Sequence, residues 1–164
     1  MEKENTQKSS TTLAEVKEYL RENLNDGCIC PACKQNVKMY KRKLSATMAY
    51  CMIIFVKHCR KNNEFGFVNF NKILNDLNIT PAQRADWQKL AYFKLITPES
   101  TTKGDPKNGF YKVNESGFYF VENDMQVPES CNVYNGKVYG YSMDRTNIKI
   151  ALTNKFNFYE LMNN

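Results

Sequence analysis

The chain has 164 residues, of which 42% are hydrophobic and 13% aromatic, and it carries a net charge of +6 with a pI near 8.9. This length and apolar content predict one packed domain with small additions and exclude a wholly disordered chain. The polar N-terminus has no apolar signal-peptide core, and the longest apolar run, residues 50–56, is too short to span a bilayer. We therefore expect a cytoplasmic protein with reduced cysteines and no membrane partner, and its positive charge favours acidic partners.

The N-terminal region is predicted to be a flexible tail over residues 1–11, followed by a helix and a cysteine-rich turn over residues 12–43. Thr12 followed by Glu15 is the pattern of a capping box, and Gly27 is suited to the left-handed end of the helix. The apolar stripe of this helix consists of Leu13, Val16, Leu20 and Leu24.

The turn that follows contains three of the six cysteines, Cys28, Cys30 and Cys33. Its Cys-Pro-x-Cys segment resembles one half of a zinc ribbon or zinc knuckle. That resemblance implies thiolates converging on one tetrahedral ion, with Cys28 as a third ligand. Zinc is the cofactor that these residues predict. A thioredoxin-like redox pair is the less favoured alternative, because the sequence predicts no matching fold around the motif.

A closed zinc site needs a fourth ligand, and the chain has no second Cys-x-x-Cys motif. His58, the only histidine, is the first candidate and Cys59 the second. Cys59 also belongs to an apolar stripe, and buried cysteines commonly act as small hydrophobic residues. We interpret Cys51 and Cys131 as packing residues.

A basic stretch without acidic residues follows the cysteine turn, since no Asp or Glu occurs from residue 27 to residue 63. Cations interleaved with aromatic residues such as Tyr40 suit phosphate contact and base stacking. We expect nucleic-acid contacts above all from Lys41, Arg42 and Lys43. The remaining cations of the stretch are Lys34, Lys38, Lys57, Arg60 and Lys61. The alternative is an ordinary solvated basic face.

The central region, residues 44–123, predicts helices and strands in alternation. Ser45 caps a helix that reaches about residue 61, and a further helix begins at Asn69 or Asn71. Thr80-Pro81-Ala82-Gln83 is a helix start, which predicts a helix over residues 81–94 that buries Trp87, Leu90 and Ala91. Strands at 95–97 and 109–113 enclose a polar loop, and a short helix follows at 118–122.

This order of elements resembles a winged helix-turn-helix domain. The closest match runs from Leu90 to Ile96, through the polar loop, to the segment from Phe110 to Gly117. The resemblance implies that the helix over residues 81–94 is a recognition helix and that the polar loop is the wing. The implied base or phosphate contacts are Gln83, Arg84 and Lys89 on the helix, and Lys103 and Lys107 in the wing. It also makes a homodimer plausible, because such domains often pair on two half-sites.

The C-terminal segment, residues 124–164, is predicted to be an appendage of a β-hairpin and short helices. Asn135-Gly136 between alternating residues is a strong signal for a type I′ hairpin. Short helices are expected at 146–152 and 156–162. The predicted fold class is therefore α+β, with a winged helix-turn-helix core between an N-terminal helix with its cysteine-rich turn and a C-terminal hairpin.

The segment from Cys30 to Leu44 also resembles small uncharacterised proteins encoded by bacteriophages and gut bacteria. This implies a bacterial host cytoplasm but brings no activity with it. We expect a phage or bacterial regulator that binds nucleic acid, most of all double-stranded DNA. The alternative is a protein-interaction module, such as a phage inhibitor of a host or defence complex, with an aromatic patch at Phe118, Tyr119, Tyr134, Tyr139 and Tyr141. No phosphate loop, nucleophile elbow or His-Glu-x-x-His motif is present, and we expect no enzyme.

Overall fold

The computed structural model describes residues 11–163, so all but Thr11 of the predicted tail lies outside the described residues. Its helices are α1 (Leu13–Asn23), α2 (Ala46–Asn62), α3 (Phe70–Asp76), a 3₁₀ helix (Trp87–Phe93), α4 (Glu115–Val121), α5 (Ile148–Leu152) and α6 (Phe158–Asn163). Its strands are β1 (Cys28–Ile29), β2 (Asn36–Val37), β3 (Tyr40–Lys43), β4 (Val68–Asn69), β5 (Ile96–Ser100), β6 (Pro106–Val113), β7 (Val127–Pro128), β8 (Ser130–Tyr134), β9 (Lys137–Tyr141) and β10 (Arg145–Thr146). This mixture of helices and small sheets confirms the predicted α+β class.

The strands form small antiparallel sheets. Two are strand pairs, β1 with β2 and β7 with β10. The other two have three strands each, in the orders β3–β8–β9 and β4–β6–β5. The strand predicted to begin at residue 36 is divided between β2 and β3, and β3 pairs with a strand that lies far along the chain.

The helix α1 begins at the predicted capping box. The Thr12 amide donates to the Glu15 carboxylate at 2.6 Å, and the Glu15 amide donates to the Thr12 hydroxyl at 3.3 Å. Val16 is buried, but Leu13 is 68% exposed, so only part of the predicted stripe packs. Val16, Cys30 and Val37 form a small apolar cluster beneath the cysteine turn, apart from the main core.

The helix α2 is the centre of the main core. Ser45 caps it as predicted, accepting a hydrogen bond from the Met48 amide at 3.3 Å. Buried side chains occur on most of its circumference, which is the pattern of a helix enclosed by other elements rather than lying on a surface. Its fully buried hydrophobic residues include Met48, Ala49, Cys51, Met52, Ile53, Phe55, Val56 and Cys59.

An aromatic cluster joins α2 to α3 and β6. The Phe55 and Phe70 rings stack with centroids 3.8 Å apart, and Trp87 meets Phe55 edge-on at 5.3 Å. Trp87 also meets Tyr111 of β6 edge-on at 4.8 Å. Offset and edge-on pairs of this kind add to the free energy gained from burying the rings. The 3₁₀ helix is therefore fixed between the central helix and the sheet β4–β6–β5.

The predicted α-helix over residues 81–94 is wrong. Thr80 does accept from the Gln83 amide at 3.3 Å, but the chain makes only one turn before Asp86 adopts a left-handed φ of 63°. The regular part is the 3₁₀ helix, which buries Trp87, Leu90 and Phe93. A spacing of three residues matches the period of a 3₁₀ helix, so these three side chains lie on one side.

Side chains of α2 hold the irregular turn before the 3₁₀ helix. The Thr47 hydroxyl donates to the Ala85 carbonyl at 3.2 Å, and the Cys51 thiol donates to the Gln83 carbonyl at 3.7 Å. These carbonyls would accept bonds from their own helix if the segment were α-helical. The contacts with α2 thus stabilise a conformation that the local sequence does not favour.

The C-terminal segment packs into the main core. The hairpin β8–β9 turns at Asn135 and Gly136, whose φ angles of 47° and 72° are those that a type I′ turn requires, as predicted. Its strand β8 buries Cys131 and Val133, and the predicted short helices are present as α5 and α6. The fully buried side chains of α5, Ile148 and Leu152, belong to the same cluster as α2. Residues expected to form an appendage are therefore part of the central core.

Gly117 allows α4 to approach α2 and Leu95, the residue before β5, closely. A Cβ atom at this position would lie 2.5 Å from the Leu95 carbonyl oxygen and 2.5 Å from the Met52 terminal methyl carbon. We expect Gly117→Ala to destabilise the fold by about 1–3 kcal/mol, because the backbone carbonyl cannot move aside freely. The midpoint of thermal or urea unfolding measures this change.

The matched control for this substitution is Gly66→Ala. Nothing lies within 4 Å of a Cβ atom built at Gly66, so we expect its unfolding midpoint to stay at or slightly above that of the parent. Equal midpoints for Gly117→Ala and Gly66→Ala would contradict the close approach of α4.

Candidate nucleic-acid interface and cysteine turn

The predicted contacts near the 3₁₀ helix are engaged within the protein. The Gln83 side-chain oxygen accepts from the Thr80 amide at 3.1 Å, and the Arg84 guanidinium donates to the Asn75 side chain. Lys89 pairs with Asp86 at 2.6 Å, three residues before it. Gln83, Arg84 and Lys89 are each half-buried, so none of these three side chains extends fully into solvent.

The C-terminal hairpin borders the outer side of the 3₁₀ helix. The Tyr141 hydroxyl donates to the Tyr92 carbonyl at 2.7 Å. An open groove separates the two elements, lined on one side by Gln88 and Lys94 and on the other by Val138. Sequence reasoning missed this neighbour because nothing in the local pattern of the hairpin indicates what it packs against.

The segment predicted to be a wing consists of β5 and β6 with the loop between them. A turn closes this loop, in which the Thr101 amide donates to the Asp105 carbonyl at 2.7 Å. Lys103 is exposed at that turn. Lys107 pairs with Glu99 at 3.2 Å and lies over the Phe110 ring at 4.0 Å from its centroid. Of the two predicted wing cations, Lys103 extends into solvent, while Lys107 is held along the strand.

The basic segment becomes the edge strand β3. Its residues pair with β8 in the register Lys41 to Asn132 and Lys43 to Ser130. Lys43 binds Glu129 at 2.6 Å, whereas Lys41 is exposed and Arg42 lies over the Tyr40 ring at 5.2 Å. The fold thus supplies a carboxylate to one of the three predicted cations and leaves Lys41 and Arg42 without an ion pair among the described residues.

The cysteine turn is a tight loop between β1 and β2. The Cys30 amide donates to the Gln35 carbonyl at 2.8 Å, and the Lys34 amide donates to the Cys30 carbonyl at 2.9 Å. Hydrogen bonds from the Cys33 amide, then from the Cys33 thiol, lower the pKa of the Cys30 thiol below its ordinary value. Cys33 is exposed, Cys28 is half-buried and Cys30 is buried. The turn therefore brings Cys30 and Cys33 together.

His58 is engaged at the end of α2. Its Nε2 atom lies 2.9 Å from the Glu64 carboxylate, and its Nδ1 atom lies 3.2 Å from the Asn62 side-chain nitrogen. Among residues 11–163, which include every cysteine and histidine of the chain, no three His, Cys, Asp or Glu residues are grouped so that they could hold a metal ion. The structure accordingly does not bring the predicted ligands Cys28, Cys30, Cys33 and His58 together.

A cavity of about 490 Å³ lies between α2 and α6, with Leu77 at its edge. Ile54 and Leu161 give it apolar walls, and Lys57 and Lys61 are among its lining residues. Lys57 donates to the Leu161 carbonyl at 2.7 Å, so this cation fixes the position of α6. The cavity depends on how the C-terminal helix packs, and no sequence motif predicted it.

Comparison with protein-family models, with curated proteins and with solved structures finds no match. Over the part of the chain that the structure describes, every helix is too short or too polar to cross a membrane.

Burial separates the cysteines into reactive and protected groups. Burial raises the pKa of the Cys51 thiol to about 12 and that of the Cys59 thiol to about 11. Burial also raises the pKa of Cys131. Because the thiolate is the reactive form, these three thiols stay protonated and unreactive at pH 8, whereas Cys33 is open to reagents.

We expect iodoacetamide at pH 8 to alkylate Cys33 first in the native, metal-free protein. Cys51, Cys59 and Cys131 should react only after denaturation. Digestion and mass spectrometry at several reaction times measure the order. The denatured protein, in which all six cysteines should react at similar rates, is the control. Early alkylation of Cys51 in the native protein would contradict its position in the core.

Proposed function

We propose that this protein binds nucleic acid, with double-stranded DNA as its main target, as a regulator of a phage or of its bacterial host. The observation that carries this proposal is the exposed basic edge strand β3, where Lys41 and Arg42 have no carboxylate partner among the described residues. When cations without acidic partners neutralise phosphates, the counterions condensed on the nucleic acid are released, and this release drives association.

The order of the central elements supports a winged helix-turn-helix for this proposal. The helices α2 and α3 and the 3₁₀ helix precede the strands β5 and β6, which form a sheet with β4 in the order β4–β6–β5. Lys103 lies in the loop between β5 and β6. A wing of this kind contacts the phosphate backbone and fixes the position of the domain on a duplex. Since the predicted base-reading side chains bind neighbours within the chain, we assign them no role in sequence recognition.

Salt-dependent binding tests the proposal. We expect the protein to bind random duplex DNA, and the double substitution Lys41→Ala with Lys103→Ala to weaken binding. Each lost phosphate contact should reduce the slope of log affinity against log salt by about one unit. Fluorescence anisotropy with labelled duplexes, over a range of salt concentrations, measures both quantities.

The control variant carries Lys17→Ala and Lys155→Ala, which removes the same charge from exposed positions on other segments. It should keep the affinity and slope of the parent. Equal loss in both variants would show that net charge alone drives binding. No binding at about 50 mM salt would contradict the function itself, since non-specific contacts are strongest at low salt. Tighter binding to single strands than to duplexes would contradict the duplex target only.

The second candidate function is binding of another protein, and the exposed aromatic side chains of β9 favour it. Tyr139 is 59% exposed and Tyr141 41% exposed on the free edge of the sheet β3–β8–β9, and Met143 beyond them is 95% exposed. Tyrosine and methionine are enriched at protein interfaces. Phe118 and Tyr119, which we expected in the same patch, lie on α4. If the parent binds no nucleic acid, capture of a partner that Tyr139→Ser abolishes would support this function.

A further inference from the structure

The cavity between α2 and α6 changes from apolar to cationic along its length. Tyr50, Ile54, Lys57 and Lys61 all line it, and a spacing of alternately four and three residues places them on one face of α2. From Tyr50 to Lys61 this face extends about 16 Å along the helix axis. The apolar pair lies nearer the start of α2 and the two lysines nearer its end. A ligand that lies lengthwise in the cavity therefore contacts apolar side chains at one end and ammonium groups at the other.

The apolar end of the cavity has a defined wall. The Tyr50 ring stacks on the Phe156 ring with centroids 4.4 Å apart, which fixes its position. Ile54 and Leu161 are half-buried where they line the cavity, and Leu77 at its edge is 55% exposed. A volume of about 490 Å³ is typical of small-molecule sites, which are concave and mostly apolar. An apolar chain bound here would remove water from these side chains, and such burial favours binding.

The other end of the cavity presents ammonium donors. Among the described residues, neither Lys57 nor Lys61 forms an ion pair. Lys57 donates to the Leu161 carbonyl at 2.7 Å, and since an ammonium group has three donors, two remain. Lys61 is exposed, so an anion bound beside it keeps part of its hydration and avoids the full free-energy cost of burying a charge.

Two carboxylates limit the positive charge of this end. Glu160 lines the cavity from α6 and forms no ion pair with the lysines described above. His58 also lines the cavity, but its Nε2 atom lies 2.9 Å from the Glu64 carboxylate. The two lysines outnumber Glu160, so the net charge of the lining side chains is positive.

We propose that this cavity binds a free fatty acid, with its carboxylate beside Lys57 and Lys61 and its alkyl chain along Ile54 toward Tyr50. Charge-assisted hydrogen bonds favour the carboxylate at the cationic end, and burial favours the alkyl chain at the apolar end. A sugar or a nucleotide would leave polar groups without partners against Ile54 and Leu161. None of the lining residues belongs to β3 or to the loop that carries Lys103, so this site is separate from the proposed nucleic-acid contacts.

Calorimetric titration with dodecanoate, below its micelle concentration, tests the proposal. We expect one molecule to bind per chain. Dodecylammonium has the same chain and the opposite charge, and it should bind at least about tenfold more weakly because the lysines repel it. In methyl NMR spectra, dodecanoate should shift the signals of Ile54, Leu77 and Leu161. The signals of Val133, which is buried on β8, should stay unchanged.

Four exposed positions allow the charge and the apolar contact to be tested separately. Lys61→Ala should weaken dodecanoate binding by about two- to fivefold, and Glu160→Gln should strengthen it, because one removes an attraction and the other a repulsion. Leu77→Ser should weaken the binding of both probes. The matched control Lys17→Ala, on α1, removes the same charge as Lys61→Ala and should bind as the parent does. All four variants should keep the unfolding midpoint of the ligand-free parent.

Several outcomes would overturn the fatty-acid site. They are no binding of dodecanoate, equal affinity for the two probes, and methyl shifts confined to residues outside the cavity. Equal weakening in Lys61→Ala and Lys17→Ala would also overturn it, since net charge alone would then explain the binding. No nucleic acid is present in these titrations, so this proposal and the proposed function fail or stand separately.

Discussion

The packing of Trp87 between α2 and the sheet β4–β6–β5 is the contact on which the arrangement of the candidate interface depends. Its ring lies 5.3 Å from that of Phe55 and 4.8 Å from that of Tyr111, and it is almost completely buried. Loss of a buried aromatic side chain of this size typically costs about 3–5 kcal/mol. One indole thus fixes the 3₁₀ helix against both the central helix and the sheet β4–β6–β5. The turn from Pro81 to Asp86 adopts a conformation that is compatible with this packing and is held by hydrogen bonds from α2.

Long-range contacts determine which cations of the protein are paired with carboxylates. The sequence has no acidic residue from 27 to 63, but the fold brings Glu129 to Lys43 and Glu122 to Arg60. Lysines on an edge strand also discourage pairing with other chains. Lys41 can therefore hinder pairing of β3 with another chain, and under the proposed function it would also attract phosphates.

The protonation of the cysteine thiols differs with their environment in the fold. Cys51 and Cys59 lie on α2 in the main hydrophobic core, where burial keeps their thiols protonated. Cys30 and Cys33 lie on a hairpin turn, where backbone hydrogen bonds favour the thiolate. Spacing alone suggested Cys28, Cys30 and Cys33 as ligands, and among the described residues the structure does not group them as a metal site. Spacing could not show that His58 would be turned toward Glu64, because that contact depends on the chain beyond the end of α2.

The sequence by itself determined the features that depend on neighbouring residues. The caps at Thr12 and Ser45 and the turn at Asn135-Gly136 formed as predicted, because their hydrogen bonds and φ angles are set within a few residues. Only the tertiary structure decided that the segment after Thr80 is not an α-helix, that β3 pairs with β8, and that the C-terminal helices complete the core. A cap contributes about 1 kcal/mol, whereas burial of a large aromatic side chain contributes several times more. Where the two disagree, as they do before Trp87, long-range packing prevails over the local signal.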